Sequence, residues 1–393
     1  MTHVPRVLVL DAEQRSALAA ARSLGQAGAL VSVASACPRP LAGASRHVRN
    51  VLRTPDPLVD VGGWLESVAG HARTQHCDFI LPMTDVSTML LASAQDMPAD
   101  LCSVICPPAP AYDWLTDKGR LLELAQSLGM NVPVTHCARD AQGIRAAVSQ
   151  IGFPAVIKPS RSRYQVGNRV CSTSVRIVKN AAELDQLMPQ LDWLVHLPAL
   201  VQGWIAGHGA GVFALYGPAG PVAWFAHRRL REKPPAGGVS VLCESTPVDP
   251  ILRGLSETLL SHVGWCGPAM VEYRIAPDGR AFLMEVNGRF WGSLQLAVDA
   301  GVNFPLLLLR LAQGQELPLQ GDYQTQRRLR WLLGDVDNLL LQLKGQVQQG
   351  SRWRSLKCFA NTFFDAQCRQ EILRSDDRQP ALREASQWFR ALL

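Results

Sequence analysis

Met284-Glu285-Val286-Asn287-Gly288-Arg289 is the stretch on which the reading of this chain turns. In an extended strand alternate side chains share a face, so Glu285 and Asn287 project together while Met284 and Val286 go into the core. Upstream, Met270-Val271-Glu272-Tyr273 reads as a second strand, and Pro277, Asp278 and Gly279 between the two signal a hairpin. Pairing the strands antiparallel sets Glu272 across from Glu285. Two facing carboxylates repel unless a cation joins them, and Mg²⁺ typically takes one or two carboxylates, water and phosphate oxygens. ATP is the obvious source of those phosphates. Arg289, two residues beyond Asn287, adds positive charge where a phosphoryl group would move. An ordinary surface hairpin explains the turn but not the apolar framing of the acids.

Two lysines and an arginine cluster gain meaning beside that stretch. Phe153-Pro154-Ala155-Val156-Ile157 reads as a buried strand from which Lys158 can present its ammonium to a phosphate. Lys118, in Thr116-Asp117-Lys118-Gly119-Arg120, lies near a helix start and taken alone reads as a solvated lysine. His227-Arg228-Arg229-Leu230-Arg231 precedes Gly237-Gly238-Val239-Ser240, joining a basic strand end to a flexible loop. Strand alternation puts Arg229 and Arg231 on one face, and Arg231 is expected to hold a substrate carboxylate bidentately. A solvated edge strand accounts equally well for each arginine taken singly. Phe290-Trp291-Gly292-Ser293 either lines the acceptor pocket or packs in the core, the commoner role of aromatic residues there.

The rest of the chain alternates strands and helices. Residues 7–10 read as a buried strand, 13–27 as a helix, 30–34 as a strand and 63–73 as a helix. A strand at 79–81 exits through Pro82, Thr84 and Asp85, where doubly wound sheets meet ligands. No GxGxxG follows the first strand, so dinucleotide binding is not indicated. Pro107, Pro108 and Pro110 precede a helix over 113–128, followed by a helix at 141–150, a strand at 155–158, an Arg/Ser-rich loop and a strand at 174–178. That unit suits a mobile lid. Strands at 211–216, 222–228, 269–275 and 281–286 look antiparallel, and from Gly321 to the segment 388–393 the chain reads as amphipathic helix. The expected division is a Rossmann-like N-terminal domain over residues 1–106, a linker helix and lid over 107–200, a catalytic subdomain over 201–320 and a helical region over 321–393.

Asp117-Lys118, Phe153 through Lys158-Pro159, Gln202-Gly203-Trp204-Ile205-Ala206-Gly207, Glu272 and Glu285-Val286-Asn287-Gly288-Arg289 occur in an order and approximate spacing that resemble the ATP-grasp superfamily. The likeness is nearest in style to the carboxylate-amine ligases and the carbamoyl-phosphate synthetase large chain, and covers about residues 105–320. It implies an α/β and α+β architecture: an ATP-grasp fold with an N-terminal doubly wound parallel-sheet domain, a small lid and an antiparallel-sheet catalytic domain. ATP would lie with Lys118 and Lys158 at its phosphates and Gln202, Gly203, Trp204 and Ile205 beside adenine. Glu272, Glu285 and Asn287 would coordinate Mg²⁺, or Mn²⁺ in its place, and Arg289 would stabilise the transferred phosphate and the acyl phosphate formed from it. Two stretches depart from the family pattern. The lid loop over 160–168 has one glycine where many relatives have several, leaving arginines to compensate. No acidic ribose contact stands in Gly207-His208-Gly209-Ala210-Gly211, where His208 either replaces it or, the favoured reading, sits in a turn.

Composition agrees with a soluble enzyme. The 393 residues suggest two or three units sharing a cleft, with 47% apolar and 18% charged residues. A formal charge of +6 suits an anionic small molecule and is too mild to announce nucleic acid. The ten cysteines contain no CxxC pair and read as reduced cytoplasmic thiols; His71, His76 and Cys77 lack a second ligand pair, so no zinc is assigned. The apolar run 304–309 stops at Arg310, far short of a membrane span, and the opening residues are too short for a signal-peptide core. The expected function is an ADP-forming ligase joining a small-molecule or peptide carboxylate to an amine, with oligomeric state open. A carbamoyl-phosphate synthetase-like bicarbonate-phosphorylating enzyme ranks lower, because one grasp unit does not supply both phosphorylations in the usual arrangement. A non-catalytic nucleotide-binding regulator ranks lower too, given the joint presence of Glu272, Glu285, Asn287 and Arg289.

Overall fold

Val7, Leu8 and Val9 are all buried, and a strand apolar on both faces belongs in a parallel sheet covered by helices. The computed structural model describes residues 3–94, 102–235, 238–345 and 352–392. In it β1 (Arg6–Val9), β2 (Leu30–Ser35), β3 (Val48–Arg53), β4 (Phe79–Leu81) and β5 (Ser103–Val104) form a parallel sheet in the order β3-β2-β1-β4-β5. The order reverses between β1 and β4, which opens a crevice beyond their exits. β3 was not expected from sequence, because Val-Arg-Asn-Val-Leu-Arg lies at the sheet edge, largely exposed and without alternation.

The expected helix over 113–128 is two helices, Ala109–Thr116 and Lys118–Ser127. Asp117 breaks it, its Oδ1 accepting from Gly119 N at 3.0 Å and Arg120 N at 3.2 Å. This cap fixes Lys118 as the first helical residue.

Next come β6 (Thr135–Ala138), β7 (Ala155–Pro159), β8 (Arg163–Val166), β9 (Arg169–Ser172), β10 (Arg176–Val178) and β11 (Ala199–Gly203). Four of them form an antiparallel sheet, β10-β7-β11-β6, while β8 and β9 form a hairpin where a loop was expected. The single glycine of that stretch, Gly167, sits at the hairpin turn with φ 58°, so it serves the turn. The tip is fastened to the first sheet's layer: Asn168 Nδ2 donates to Asp60 Oδ1 at 2.9 Å, and Gly62 N donates to Asn168 Oδ1 at 2.8 Å. Val170 is buried in the same core as Leu8 and Trp64.

The largest sheet contains β12 (His208–Gly217), β13 (Gly220–Lys233), β14 (Val239–Thr246), β15 (Gly267–Ile275), β16 (Ala281–Asn287), β17 (Arg328–Arg330) and β18 (Cys368–Gln370), in the order β16-β15-β12-β13-β14-β17-β18. Phe213, Phe225 and Met270 point from one face into a core shared with helix Arg15–Gln26. Val212, Trp224, Val271 and Tyr273 point from the other against helix Pro250–His262. β17 and β18 correct the expectation of an entirely helical stretch from Gly321; three-residue strands are too short for the period of two to register. The buried Arg22–Asp377 pair and the part-buried Arg15–Glu371 pair tie this region to the first sheet's leading helix. Gly237 and Leu393 lie outside the described residues. Among those described, no single helix is long and apolar enough to cross a membrane.

Candidate active site

β15 and β16 hold the two acids as direct partners: Glu272 is opposite Glu285, and Asn287 is opposite Met270. Asn287 Nδ2 donates to Glu272 Oε1 and to Glu285 Oε1, each at 3.3 Å. Val286 is in the opposing core, but Met284 is only half-buried, because the ladder slips by one residue beyond Glu272 and pairs Tyr273 with Leu283. Burial, and after it the charge of Glu285, push the Glu272 carboxyl well above the usual carboxylate range. The deficit is one of positive charge. Two carboxylates and a side-chain amide whose oxygen and nitrogen can exchange places are a donor set suited to Mg²⁺.

Opposite these acids the excess is positive. Lys118 Nζ lies 3.9 Å from Glu285 Oε2 and donates to Ser162 Oγ at 2.7 Å. Lys158 is buried near the end of β7, on the same face as Gln202, since Lys158 pairs with Leu200 and Val156 with Gln202. Burial, and then the neighbouring Lys118, bring its ammonium down to about 8. Phosphate oxygens would relieve that crowding.

Arg289 is held by Asp85 through Nε to Oδ1 and Nη2 to Oδ2, both at 3.0 Å. Asp85 is the first residue of helix Asp85–Ser93, fixed by the Thr84–Ser87 capping box. The exit of β4 singled out in the sequence therefore reaches this site, through a partner for Arg289 that residue spacing did not reveal.

The structure places Arg231 elsewhere. A bulge shifts the β13–β14 register so that Arg229 pairs with Cys243 and Arg231 with Leu242, which sends the two arginines to opposite faces. Arg231 makes a bidentate pair with Asp335 at 2.7 and 2.6 Å, and the fully buried Arg330 shares that carboxylate at 2.7 Å. Arg229 stays on the site face, its Nη2 3.6 Å from Glu272 Oε1. It lines a cavity of about 410 Å³ with Glu272, Glu285, Arg289, Trp291 and His227. Two polar atoms there have no partner among the described residues, Trp291 Nε1 and His227 Nδ1. His227 Nε2 is 2.9 Å from Ser293 Oγ, and burial, then Arg229, hold the imidazole down at about 3, so it is neutral. Phe290 and Trp291 are core residues, and Trp291 also edges the cavity.

Gln202 and Gly203 end β11. Gln202 Nε2 donates to Thr135 Oγ1 at 2.7 Å and its Oε1 has no partner among the described residues. Trp204 is half-exposed, with the Arg274 guanidinium 5.2 Å from its ring, and Arg274 Nε donates to Ile205 O at 3.2 Å. Gly207 closes this hinge at φ 129°, where a Cβ would stand 1.9 Å from Ile275 O. His208 is the exposed first residue of β12, opposite Ile275.

A doubly wound sheet, a small antiparallel sheet and a large antiparallel sheet enclosing paired acids and buried lysines define the ATP-grasp fold. The model of the family described as ATP-grasp in the biosynthetic pathway with Ter operon matches residues 216–334. Solved structures with the same fold include biotin carboxylase from Campylobacter jejuni, with a TM-score of 0.64 at 15% identity, covering 82% of this chain and 74% of that one. N5-carboxyaminoimidazole synthetase from Staphylococcus aureus aligns with a TM-score of 0.63 at 13% identity, over 89% and 88% of the two chains. L-amino acid ligase from Bacillus licheniformis aligns with a TM-score of 0.61 at 16% identity, over 84% and 79%. No protein with a curated description matches the sequence.

Proposed function

We propose that the protein is an ATP-dependent ligase that activates a carboxylate as an acyl phosphate and joins it to an amine. The observation that carries this reading is the opposed pair Glu272 and Glu285 with Asn287, in one cleft with Lys118, Lys158 and Arg289. Glu272, Glu285 and Asn287 would hold Mg²⁺ or Mn²⁺, which supplies charge neutralisation at the nucleotide phosphates. Lys118 and Lys158 bind those phosphates, and Gln202 through Ile205 border adenine. Arg229 takes the carboxylate-binding role first expected of Arg231, with Trp291 Nε1 as a further donor, and Arg289 faces the transferring phosphate.

A carboxylate oxygen attacks the γ-phosphorus, the bond to the β,γ-bridging oxygen breaks and ADP leaves. The amine nitrogen then attacks the acyl carbon, phosphate departs with the bonding electrons and the nitrogen loses a proton, leaving an amide. The β8–β9 hairpin covers the site and protects the acyl phosphate from water. A cytoplasmic setting is part of this reading, because ten cysteines without a CxxC pair suit reduced thiols.

Bicarbonate is the second reading, since one structure with this fold, the biotin carboxylase domain of the Hydrogenobacter thermophilus 2-oxoglutarate carboxylase, was solved with MgADP and bicarbonate. The cavity of about 410 Å³ favours a larger acid. Screening acids and amines for Mg²⁺-dependent ADP release, followed by the product mass, tests the proposal. Nucleotide binding without substrate-dependent ADP would make the protein a regulator instead.

A further inference from the structure

Beyond the exits of β1 and β4, where the parallel sheet's strand order reverses, a second cavity of about 790 Å³ opens. It adjoins the proposed carboxylate site, because Arg15, Val239, Arg289 and Gly292 line both. Its charge is unbalanced. Arg289 is matched by Asp85, and Arg15 by Glu371 although its charge also acts on Glu384, so that among the described residues Asp11, Glu13, Asp56 and Glu384 outnumber Arg163, the remaining lining cation. Neutral donors hold these four: Met83 N and Ser87 Oγ on Asp11, Ser35 Oγ on Glu13, Leu58 N on Asp56 and Trp331 Nε1 on Glu384.

A further observation marks the cavity as a site. Thr54 lines it, is only 7% exposed, and its hydroxyl has no partner among the described residues. Asp11 holds φ 56°, a conformation uncommon for a residue with a side chain, and this sets its carboxyl at the sheet's crevice. The remaining wall is apolar, with Trp64, Leu58, Met83 and Phe290.

We propose that this cavity binds the amine substrate of the ligase, and that the substrate carries a second positive group besides the nitrogen that reacts. The attacking nitrogen must be neutral when it meets the acyl carbon, so it cannot hold the carboxylates' interest through the reaction. A group that stays charged can. The same wall repels an amine that bears a carboxylate. Burial, chiefly, raises Asp11 to about 6 and Glu384 to about 7.

The inference rests on the ligase reading, and the experiment separates the two. Calorimetry on protein loaded with Mg²⁺ and a non-hydrolysable ATP analogue would compare agmatine, an amine with a guanidinium, with 5-aminopentanoate, an amine with a carboxylate. Agmatine is expected to bind at least about tenfold more tightly, and Glu13→Gln/Asp56→Asn to lose about tenfold or more of that affinity, about 1.4 kcal/mol. The melting temperature of the double variant serves as its folding control. No agmatine binding, equal binding of the two probes, or an unchanged affinity in a folded double variant would overturn the inference. In parallel, carboxylate-dependent hydroxamate formation with hydroxylamine tests ligation alone, because so small a nucleophile does not need the cavity. Hydroxamate without agmatine binding would leave the ligase standing and remove this inference; agmatine binding with no hydroxamate from any acid would remove the ligase reading, and the substrate role with it.

Discussion

Glu272 and Glu285 face each other across the β15–β16 ladder, and the side chain that touches both is the amide of Asn287. An amide N–H can soften a carboxylate pair but cannot neutralise it. Lys118 and Arg229 stand 3.9 and 3.6 Å from one acid each, yet the Glu272 carboxyl is still held well above its ordinary range, a cost that a divalent cation would remove.

Glu272→Gln deletes one of the two repelling charges while keeping shape. The melting temperature without metal is expected to rise by roughly 1–3 °C, and Mg²⁺-dependent ADP formation to fall by at least about 100-fold. Glu285→Ala and Asn287→Ala should likewise leave a folded protein without turnover. Calorimetric melting and a coupled ADP assay check this, and wild-type turnover in any of the three would sink the metal assignment.

Arg229 and Arg231 are two residues apart and are expected to fail differently. Arg231→Ala leaves buried Asp335 with Arg330 alone, so a stability loss of about 1–3 kcal/mol is expected with little change in either KM. Arg229→Ala is expected to raise the KM for the carboxylate substrate more than that for ATP, and Arg289→Ala to depress kcat. Urea denaturation alongside steady-state kinetics would separate them; a selective KM effect in Arg231→Ala would restore the role first read from the sequence.

Lys158 sets an alkaline limit. Its ammonium is brought from 10.5 to about 8, chiefly by burial. Below pH 8 the folded protein carries a buried charge, and between 8 and 10.5 the folded form sheds a proton that the unfolded chain keeps. Its contribution to stability is thus least favourable below 8 and improves as pH rises through that window. Phosphate binding runs the other way, because only the charged form attracts phosphate. ATP affinity is expected to weaken above about pH 8 in the wild type, whereas Lys158→Ala binds more weakly throughout and lacks that limb. Binding titrations from pH 6.5 to 9.5 would show it, and an identical pH dependence in both proteins would contradict the role.

Asn168 fastens the β8–β9 hairpin to Asp60 and Gly62. Asn168→Ala is expected to speed hydrogen exchange at Arg169–Ser172 by about fivefold or more, as loss of a net hydrogen bond of about 1 kcal/mol implies. It should also raise ATP hydrolysis that is not coupled to product, since water then reaches the acyl phosphate. Unchanged exchange would mean that the backbone bonds Val61 N to Asn168 O and Val170 N to Leu58 O, with the buried Val170 side chain, hold the hairpin without the Asn168 amide.

The parts of this fold written in local periodicity could be read from the sequence. β4 is the expected strand to the residue, and Asp278 and Gly279 announce the antiparallel hairpin, but Glu272 meets Glu285 only because the ladder slips by one residue beyond Tyr273. The parts that depend on distant contacts could not be read. β3 is a polar edge strand recognisable only by its pairing with β2, and β17 and β18 are too short to show a pattern. The placing of Arg229 and Arg231 on opposite faces follows from a bulge between them, a slip that is undone again before Glu232 and that side-chain alternation does not announce. Asp85 was noticed as a strand-exit residue, but its partner Arg289 lies 204 positions away, beyond the reach of spacing.

The acyl phosphate is the centre of this account, and oxygen isotope transfer tests it most directly. The acid that supports ADP release would be supplied with ¹⁸O in both carboxyl oxygens, together with its amine, Mg²⁺ and unlabelled ATP. The account expects one ¹⁸O in each phosphate released, because the carboxylate oxygen that attacks phosphorus leaves with it when the amine displaces phosphate. Phosphate free of ¹⁸O, formed along with ADP and the amide, would contradict it.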